Sequence, residues 1–190
     1  MRKLKLQIQM TVDGFIAGTN GEMDFMVWDW DDELKNYVKE ITEPVDCIVL
    51  GRKLAEGFIP YWASNPGQEG ADKLNSLKKV VFTKTLNKSE WNNTFLAKGD
   101  LVEEITKLKK QDGKDIIAYG GATFVSALIK HGLIDEYHLL INPTALGNGM
   151  AIFKELESRQ NLRLVKSRSF KCGIVVLNYE FKSSLSKLTR

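Results

Sequence analysis

Two glycine turns in this sequence could bind an anion. Gly120 and Gly121 follow the apolar residues 116–119, and Gly51 follows the apolar residues 45–50. Because glycine has no Cβ, a ligand can approach the backbone there, and a helix that begins beyond the turn offers free N–H groups and a positive dipole end. A diphosphate suits such a site. A tight turn that needs one positive φ angle explains the Gly120 and Gly121 pair equally well.

Charged donors stand beside the second of these turns. Arg52 and Lys53 follow Gly51 directly, so they would add charge-assisted hydrogen bonds to a phosphate at the helix N-terminus. A Gly-Arg-Lys triplet by itself occurs by chance in many sequences. Its position directly after an apolar strand is what favours a phosphate site here.

Strands and helices alternate along the chain and would position these turns. Apolar residues recur at every second position in 4–10, as in a strand, and at helical spacing in 31–41, as in a helix that Pro44 ends. Residues 116–142 form a strand–helix–strand unit with Gly132 at the C-terminal helix cap. Further patterns predict strands at 80–82 and 95–97, a short helix at 74–77, a helix capped by Asp100, and an antiparallel hairpin of 162–170 and 174–181. The proline- and glycine-rich residues 58–70 predict a surface loop.

Residues 119–153 resemble the second half of the reductase domain of riboflavin biosynthesis, which belongs to the dihydrofolate-reductase-like superfamily. The family pattern is a strand, a Gly-Gly pair, a helix, a Leu/Ile-Asp-Glu step, a strand ending in proline, and a Leu-Gly-x-Gly turn. This sequence matches the pattern in order and spacing at Gly120 and Gly121, residues 133–136, Pro143 and residues 146–149. Residues 11–18, TVDGFIAG, resemble the first strand end and loop of the same superfamily.

The resemblance covers roughly residues 4–182 and implies a fold. We expect an α/β protein with three α/β/α layers, a mixed, mostly parallel sheet, and a C-terminal antiparallel hairpin. It implies one reductase domain over residues 1–182, followed by a basic, Ser-rich tail over residues 183–190. It also implies a homodimer.

The same resemblance implies NADPH as the cofactor. Gln9 would lie near the nicotinamide carboxamide and Ile16 would pack on the ring, although a plain turn explains this loop as well. The diphosphate would lie between the two turns, whose residues are Gly51, Arg52, Lys53, Gly120, Gly121, Ala122 and Thr123. Thr83 and Lys84, with Arg52, would hold the adenosine 2′-phosphate, which favours NADPH over NADH; a polar strand end explains Lys84 equally well. Leu54 departs from the family's threonine, so one hydroxyl contact to phosphate is lost or supplied elsewhere.

Acidic residues begin the helix that follows the first loop. Asp32 and Glu33 are ordinary partners of a helix dipole. In dihydrofolate reductases one carboxylate on this helix assists protonation of the pterin, so the resemblance implies that Asp32 or Glu33 has this catalytic role. The preceding residues 19–30 carry Phe25, Trp28 and Trp30, which could stack on a flat heterocycle or anchor the loop on the core.

Composition excludes several other classes of protein. The chain has 190 residues and a net charge of +3 without a lysine or arginine stripe, so nucleic acid is not an expected partner. No run approaches the length of a membrane span, and the basic N-terminus alternates without an apolar signal region. Cys47 and Cys172 do not form a disulfide framework, and His131 and His138 do not have the spacing of metal ligands. We therefore expect a cytoplasmic protein without a metal site.

These observations predict an NADPH-dependent oxidoreductase that transfers a hydride to a pyrimidine- or pterin-type substrate. The sequence resembles 5-amino-6-(5-phosphoribosylamino)uracil reductase and lacks the zinc signature of the deaminase that accompanies it in the bifunctional enzyme. A dihydrofolate reductase is the alternative enzyme. A cofactor-binding protein that keeps the fold without the chemistry is the alternative from another class.

Overall fold

The computed structural model describes residues 1–181. The predicted tail of residues 183–190 lies outside this range. The eight strands are β1 (Leu4–Thr11), β2 (Val45–Gly51), β3 (Lys78–Phe82), β4 (Thr94–Ala97), β5 (Asp115–Ala118), β6 (Glu136–Asn142), β7 (Leu162–Ser169) and β8 (Val175–Phe181). The five helices are α1 (Asp32–Thr42), α2 (Arg52–Ser64), α3 (Ala71–Ser76), α4 (Leu101–Lys110) and α5 (Ala122–Lys130).

All eight strands form one sheet in the order β4-β3-β2-β5-β1-β6-β8-β7. Strands β1 to β6 pair in parallel, whereas β8 runs antiparallel to both β6 and β7. The β5–α5–β6 unit therefore crosses over β1, which lies between its two strands. The predicted α/β fold, with a mostly parallel sheet and an antiparallel C-terminal hairpin, is confirmed.

Helices cover both faces of the sheet and create two apolar cores. One core, which we call the α4/α5 face, contains Ile105 of α4, Leu128 of α5 and Leu6 of the sheet. The other, the α1/α2 face, contains Leu34 of α1, Ile59 of α2 and further side chains of the sheet. The three predicted layers are thus present.

The central strand β1 is the strand that its alternating sequence predicted, and it is largely buried on both sides. Its apolar residues face α4 and α5, but Lys5 and Gln7 on the opposite side are also buried. The buried positive charge of Lys5 is compensated by an ion pair with the carboxylate of Asp115 at 3.1 Å. Because β1 lies between β5 and β6 with helices on both sides of the sheet, both of these polar side chains are held away from bulk solvent.

Residues 58–64 continue helix α2, so the surface loop that composition predicted for residues 58–70 is limited to residues 65–70. Helix α2 continues to Ser64 with Pro60 inside it. A proline within a helix removes one backbone hydrogen bond and normally ends the helix. Here Phe58 stacks on Tyr119 with ring centroids 5.5 Å apart, and Trp62 packs against Phe58 at 6.1 Å. These tertiary contacts offset the missing bond, so only the residues after Ser64 form the connection to α3.

The described helices include none that is both long enough and apolar enough to cross a membrane.

Candidate cofactor and substrate site

The two glycine turns lie side by side at the carboxyl edge of the sheet. Gly51 ends β2, and Gly120 and Gly121 follow the neighbouring strand β5. A Cβ on Gly51 would approach the Cβ of Phe124 to 2.8 Å, and Cβ atoms on Gly120 and Gly121 would lie 3.7 and 3.6 Å from Leu54. Each turn therefore packs against the helix that follows the other, and the sheet brings both predicted anion sites together.

The backbone of the Gly120 and Gly121 turn requires glycine. Gly120 has φ +150° and Gly121 has φ +82°, values that side-chain-bearing residues rarely adopt. This conformation directs the chain from β5 into α5. The turn needs positive φ angles whether or not a ligand binds, so both of the interpretations offered for the Gly-Gly pair are compatible with its geometry.

The helices that begin at these turns have open N-termini. Helix α2 starts after Gly51 and α5 starts after Gly121, and among residues 1–181 no side chain caps either N-terminus. By contrast, the carboxylates of Asp31 and Asp100 cap α1 and α4. Four N–H groups at the start of a helix lack intrahelical partners, and α2 and α5 leave theirs for another acceptor at one edge of the sheet.

The side chains predicted to bind phosphate differ in their exposure and in the partners that they already have. Arg52 is partly exposed and paired with Glu56 one turn along α2, at 2.7 Å. Lys53 and Lys84 are exposed. Thr83 is buried, and its hydroxyl oxygen accepts hydrogen bonds from the backbone N–H groups of Thr85 and Leu86 at 3.1 and 3.0 Å.

The carboxyl end of β3 lies next to Gly51, because Gly51 of β2 and Phe82 of β3 are paired in the parallel ladder of these two strands. Thr83 and Lys84 thus follow the strand next to the Gly51 turn. The residues predicted for the adenosine end of the cofactor and those predicted for its diphosphate occupy adjacent strand ends.

Gln9 and Asn142, at the ends of β1 and β6, anchor residues 19–30, which carry Phe25, Trp28 and Trp30 and which we call the aromatic segment. The Asn142 side chain is fully buried, and its amide nitrogen donates to the Gln9 side-chain oxygen at 3.1 Å. Its amide oxygen accepts from the backbone N–H of Val27 at 2.8 Å. Gln9 is only partly buried, so it remains at the surface of the edge where the nicotinamide is predicted to bind.

The aromatic segment is anchored by some of its rings and exposes another. Phe25 is buried, and the indole N–H of Trp30 donates to the carbonyl of Val27 at 2.7 Å. Trp28, between these anchored residues, leaves 68% of its surface exposed. Anchoring explains Phe25 and Trp30, whereas Trp28 is available for stacking.

Asp13 ties the loop after β1 to the turn after β6. Its carboxylate accepts hydrogen bonds from the Thr11 hydroxyl and from the backbone N–H groups of Leu146 and Gly147. The Thr11 hydroxyl and then the Gly147 N–H lower the pKa of Asp13 below its ordinary value. Ile16, predicted to pack on the nicotinamide, is buried in the core of the α4/α5 face with 7% of its surface exposed.

The two candidate acids lie away from the glycine turns. The Asp32 side chain is 95% exposed and lies 3.7 Å from Lys35, and that of Glu33 is 63% exposed and lies 3.8 Å from Arg168 on β7. The start of α1 is therefore beside the β7–β8 hairpin, with β1 and β6 between it and the strands that carry the glycines. The catalytic role of Asp32 or Glu33 stays a prediction.

A buried polar network joins α1 to the sheet. The Tyr37 hydroxyl and His138 Nδ1 are 2.9 Å apart, and His138 Nε2 lies 2.7 Å from the Glu136 carboxylate. The hydrogen bond from His138 lowers the pKa of Glu136 to about 2, while burial raises the pKa of Tyr37 to about 12. This network fixes α1 over β6 and leaves Glu136 ionised at neutral pH.

Sequence reasoning did not select Asp13 and Asn142, which order the loops around this edge. Asp13 precedes Gly14 in a turn signal, and Asn142 precedes Pro143 at the end of a strand. A polar residue at the carboxyl end of a parallel strand was the available signal. The distant partners of these two side chains, Gly147 for Asp13 and Val27 for Asn142, lie more than a hundred residues away and could not be predicted from the local pattern.

Within residues 1–181, no group of three or more histidine, cysteine and acidic side chains is arranged to hold a metal ion. The site consists of backbone N–H groups, basic side chains and aromatic rings. Such groups suit an anionic dinucleotide.

Residues 2–176 match the family described as the RibD C-terminal domain. The chain is 36% identical over 184 residues to the uncharacterized protein YyaP of Bacillus subtilis (strain 168), with 95% of each chain covered. It is also similar to the crystal structure of a Shewanella sp. PV-4 protein that is assigned to riboflavin biosynthesis, with 25% identity, a TM-score of 0.74, and 96% and 100% of the two chains covered.

A structure with a longer chain shares the fold. The diaminohydroxyphosphoribosylaminopyrimidine deaminase/5-amino-6-(5-phosphoribosylamino)uracil reductase of Thermotoga maritima superposes with a TM-score of 0.70 at 18% identity. The match covers 95% of this chain and 57% of that one. The present chain thus corresponds to little more than half of the bifunctional protein.

Proposed function

Because this chain belongs to the RibD C-terminal domain family, we propose that it is an NADPH-dependent reductase of a pyrimidine- or pterin-type substrate. The family predicted from the Gly120 and Gly121 motif is confirmed, and its structural neighbours include reductases. We take 5-amino-6-(5-phosphoribosylamino)uracil, or a compound like it, as the best candidate substrate, and we place the activity in the cytoplasm.

The observation that carries this proposal is the pair of open helix N-termini at adjacent strand ends. Gly51 and Gly121 begin α2 and α5 without capping side chains, and the two turns pack against each other. One dinucleotide diphosphate could accept hydrogen bonds from both helices. Basic Arg52 and Lys53 would neutralise the remaining charge.

NADPH, when bound, would supply a hydride to an electrophilic C=N or C=O carbon of the substrate, and a proton would have to reach the adjacent nitrogen or oxygen. The protein's task is to hold the two rings in contact and exclude water. Gln9 would orient the carboxamide of the nicotinamide. The carboxyl oxygen of Asp32 or Glu33, or water, would deliver the proton, since both of these side chains are open to solvent.

Arg52, Thr83 and Lys84 are the proposed partners of the adenosine 2′-phosphate. Arg52 would have to exchange its contact with Glu56 for the phosphate, which bears more charge. Thr83 already uses its hydroxyl oxygen as an acceptor for two backbone groups, but its proton is free to be donated to a phosphate.

The test is a titration with NADPH and NADH, followed by nicotinamide fluorescence, and then an assay for oxidation of the bound cofactor. We expect micromolar binding with NADPH preferred. Oxidation of NADPH in the presence of a riboflavin-pathway pyrimidine, but not of dihydrofolate, would support the reductase named above. Oxidation of NADPH with dihydrofolate but not with the pyrimidine would support a dihydrofolate reductase. Binding without oxidation of any substrate would indicate the non-catalytic alternative. Binding of neither nucleotide would overturn the proposed function.

A further inference from the structure

Two enclosed polar atoms at the centre of the sheet have no partner among residues 1–181. They are the side-chain oxygen of Gln7 on β1 and the hydroxyl of Tyr119, which directly follows β5. Gln7 is 9% exposed, and burial raises the pKa of the Tyr119 hydroxyl above its ordinary value. Leaving buried polar atoms unpaired costs free energy, so native structures rarely do so without a reason.

The two atoms belong to neighbouring positions on one face. Leu6 and Ala118 are the last paired residues of β1 and β5, and Gln7 and Tyr119 come next on each chain segment. Gln7 is also the ladder partner of His138, which bonds Tyr37 of α1. Both side chains therefore lie on the α1/α2 face. Tyr119 is the residue directly before the Gly120 turn, and Gln7 lies beside it on β1.

The surroundings hold Tyr119 in place without satisfying its hydroxyl. Its ring stacks on Phe58 of α2 at 5.5 Å with an interplanar angle of 21°. The ring is therefore positioned by apolar contact, and the hydroxyl is left with a proton to donate. Two residues along β1, Gln9 reaches the edge at which the nicotinamide is proposed to bind.

We propose that Gln7 and Tyr119 recognise the lactam edge of the substrate ring, that is, a ring N–H next to a C=O. Tyr119 donates to the carbonyl oxygen and Gln7 accepts from the ring N–H. This pairing is what a pyrimidinone or pterin ring offers, and a ring without an exchangeable N–H cannot satisfy both groups. The inference rests on the proposed function and adds to it the two residues that select the ring.

A second unpaired tyrosine serves as an internal control. The Tyr137 hydroxyl on β6 is also enclosed and has no partner within the described part of the chain. Its side chain, however, belongs to the α4/α5 face, on the opposite side of the sheet. A Tyr137→Phe change removes the same chemical group from a place where no substrate is proposed.

The experiment measures binding of two probes, 5,6-diaminouracil and its 1,3-dimethyl derivative, by ligand-observed NMR with and without NADP⁺. We expect the wild-type protein to bind 5,6-diaminouracil, and Tyr119→Phe and Gln7→Leu each to weaken it by about tenfold. Tyr137→Phe should leave it unchanged. The 1,3-dimethyl probe should bind weakly to the wild type and lose little further affinity in Gln7→Leu, because it has no ring N–H to donate.

Melting temperature is the second readout, because a purely structural role of Gln7 and Tyr119 predicts that replacing them lowers it. Neither side chain bonds another described residue through the enclosed atom, so Tyr119→Phe and Gln7→Leu should not lower the melting temperature. Probe binding that is equal in the wild type and both variants would overturn the inference and indicate that ordered water fills the space. Absence of probe binding to the wild type would also overturn it. Failure of the proposed function would appear separately, as loss of NADPH binding.

Discussion

Leu54 is the residue at which this chain departs from the family's phosphate-binding pattern, and the structure shows what it does instead. Its side chain is partly buried and is the nearest neighbour of the Gly120 and Gly121 turn. Leucine thus supplies apolar packing where the family pattern has a hydroxyl. The contact supports the turn but offers nothing to a phosphate.

A Leu54→Thr variant should therefore bind NADPH more tightly and be less stable. We expect a severalfold lower Kd from the added hydroxyl and a loss of about 1–2 kcal/mol of folding free energy from reduced burial. Nucleotide titration and urea unfolding measure the two effects. Leu54→Val is the matched control, because valine has the shape of threonine without its hydroxyl; equal affinities of the two variants would contradict this account.

Glu136 makes stability depend on acid pH. Its pKa falls from 4.5 to about 2 in the folded chain, chiefly because of the hydrogen bond from His138. A carboxyl group with a depressed folded pKa stabilises the protein above its unfolded pKa and loses this effect as pH falls toward the folded value. We expect unfolding free energy to drop by up to about 3 kcal/mol between about pH 5 and pH 2.

Urea unfolding over this pH range should show a flatter profile for Glu136→Gln than for the wild type. Glu90→Gln provides the control, because that carboxylate is exposed and, in the described part of the chain, pairs with Lys88 alone. A wild-type slope retained in Glu136→Gln would show that the buried network does not cause the acid sensitivity.

At the scale of elements, Asn142 joins three parts of the site. It connects the end of β6, the end of β1 and the aromatic segment through its bonds to Gln9 and Val27. Asn142→Ala leaves the Val27 N–H without its acceptor, and we expect a loss of about 1–3 kcal/mol. The amide of Val27 should exchange hydrogen faster under native conditions.

Asn178→Ala separates this local effect from general destabilisation. Asn178 is also buried and donates to the carbonyl of Tyr137, but it does not bond the aromatic segment. If hydrogen exchange at Val27 rises equally in the two variants, then Asn142 does not hold the segment.

At the scale of the whole molecule, we propose a homodimer that forms through the β7–β8 hairpin. Strand β7 is an edge of the sheet, and Leu164 and Val165 leave 50% and 47% of their surface exposed there. The pairing register shifts between Leu164 and Lys166, so the edge is irregular. We therefore expect contact through side chains and not a continuous sheet between subunits.

Sedimentation velocity tests the dimer with two matched variants. Leu164→Glu should sediment as a monomer, whereas Phe95→Glu, an exposed apolar residue at the opposite edge strand β4, should remain dimeric. A monomeric wild type, or dissociation caused by Phe95→Glu alone, would contradict this interface.

Much of the fold followed from local sequence, because caps and periodicity act over a few residues. Asp100 caps α4 and Gly132 follows α5 with φ +62°, as predicted. The helical path of residues 58–64 depends on Tyr119, and the burial of Gln7 depends on β1 being central. Neither can be read from neighbours in sequence. The family motif predicted which turns meet, but the unpaired atoms of Gln7 and Tyr119 required the assembled sheet.

The measurement that tests the central claim is NADPH affinity after placing a negative charge at the open N-terminus of α5. Thr123 is exposed in the first turn of this helix. Thr123→Glu should maintain or raise stability by about 0.3–1 kcal/mol through the helix dipole, yet repel a diphosphate. We expect its NADPH Kd to exceed that of the uncharged Thr123→Gln variant by at least about tenfold. Equal affinity of the two folded variants would contradict the account of a diphosphate held between α2 and α5.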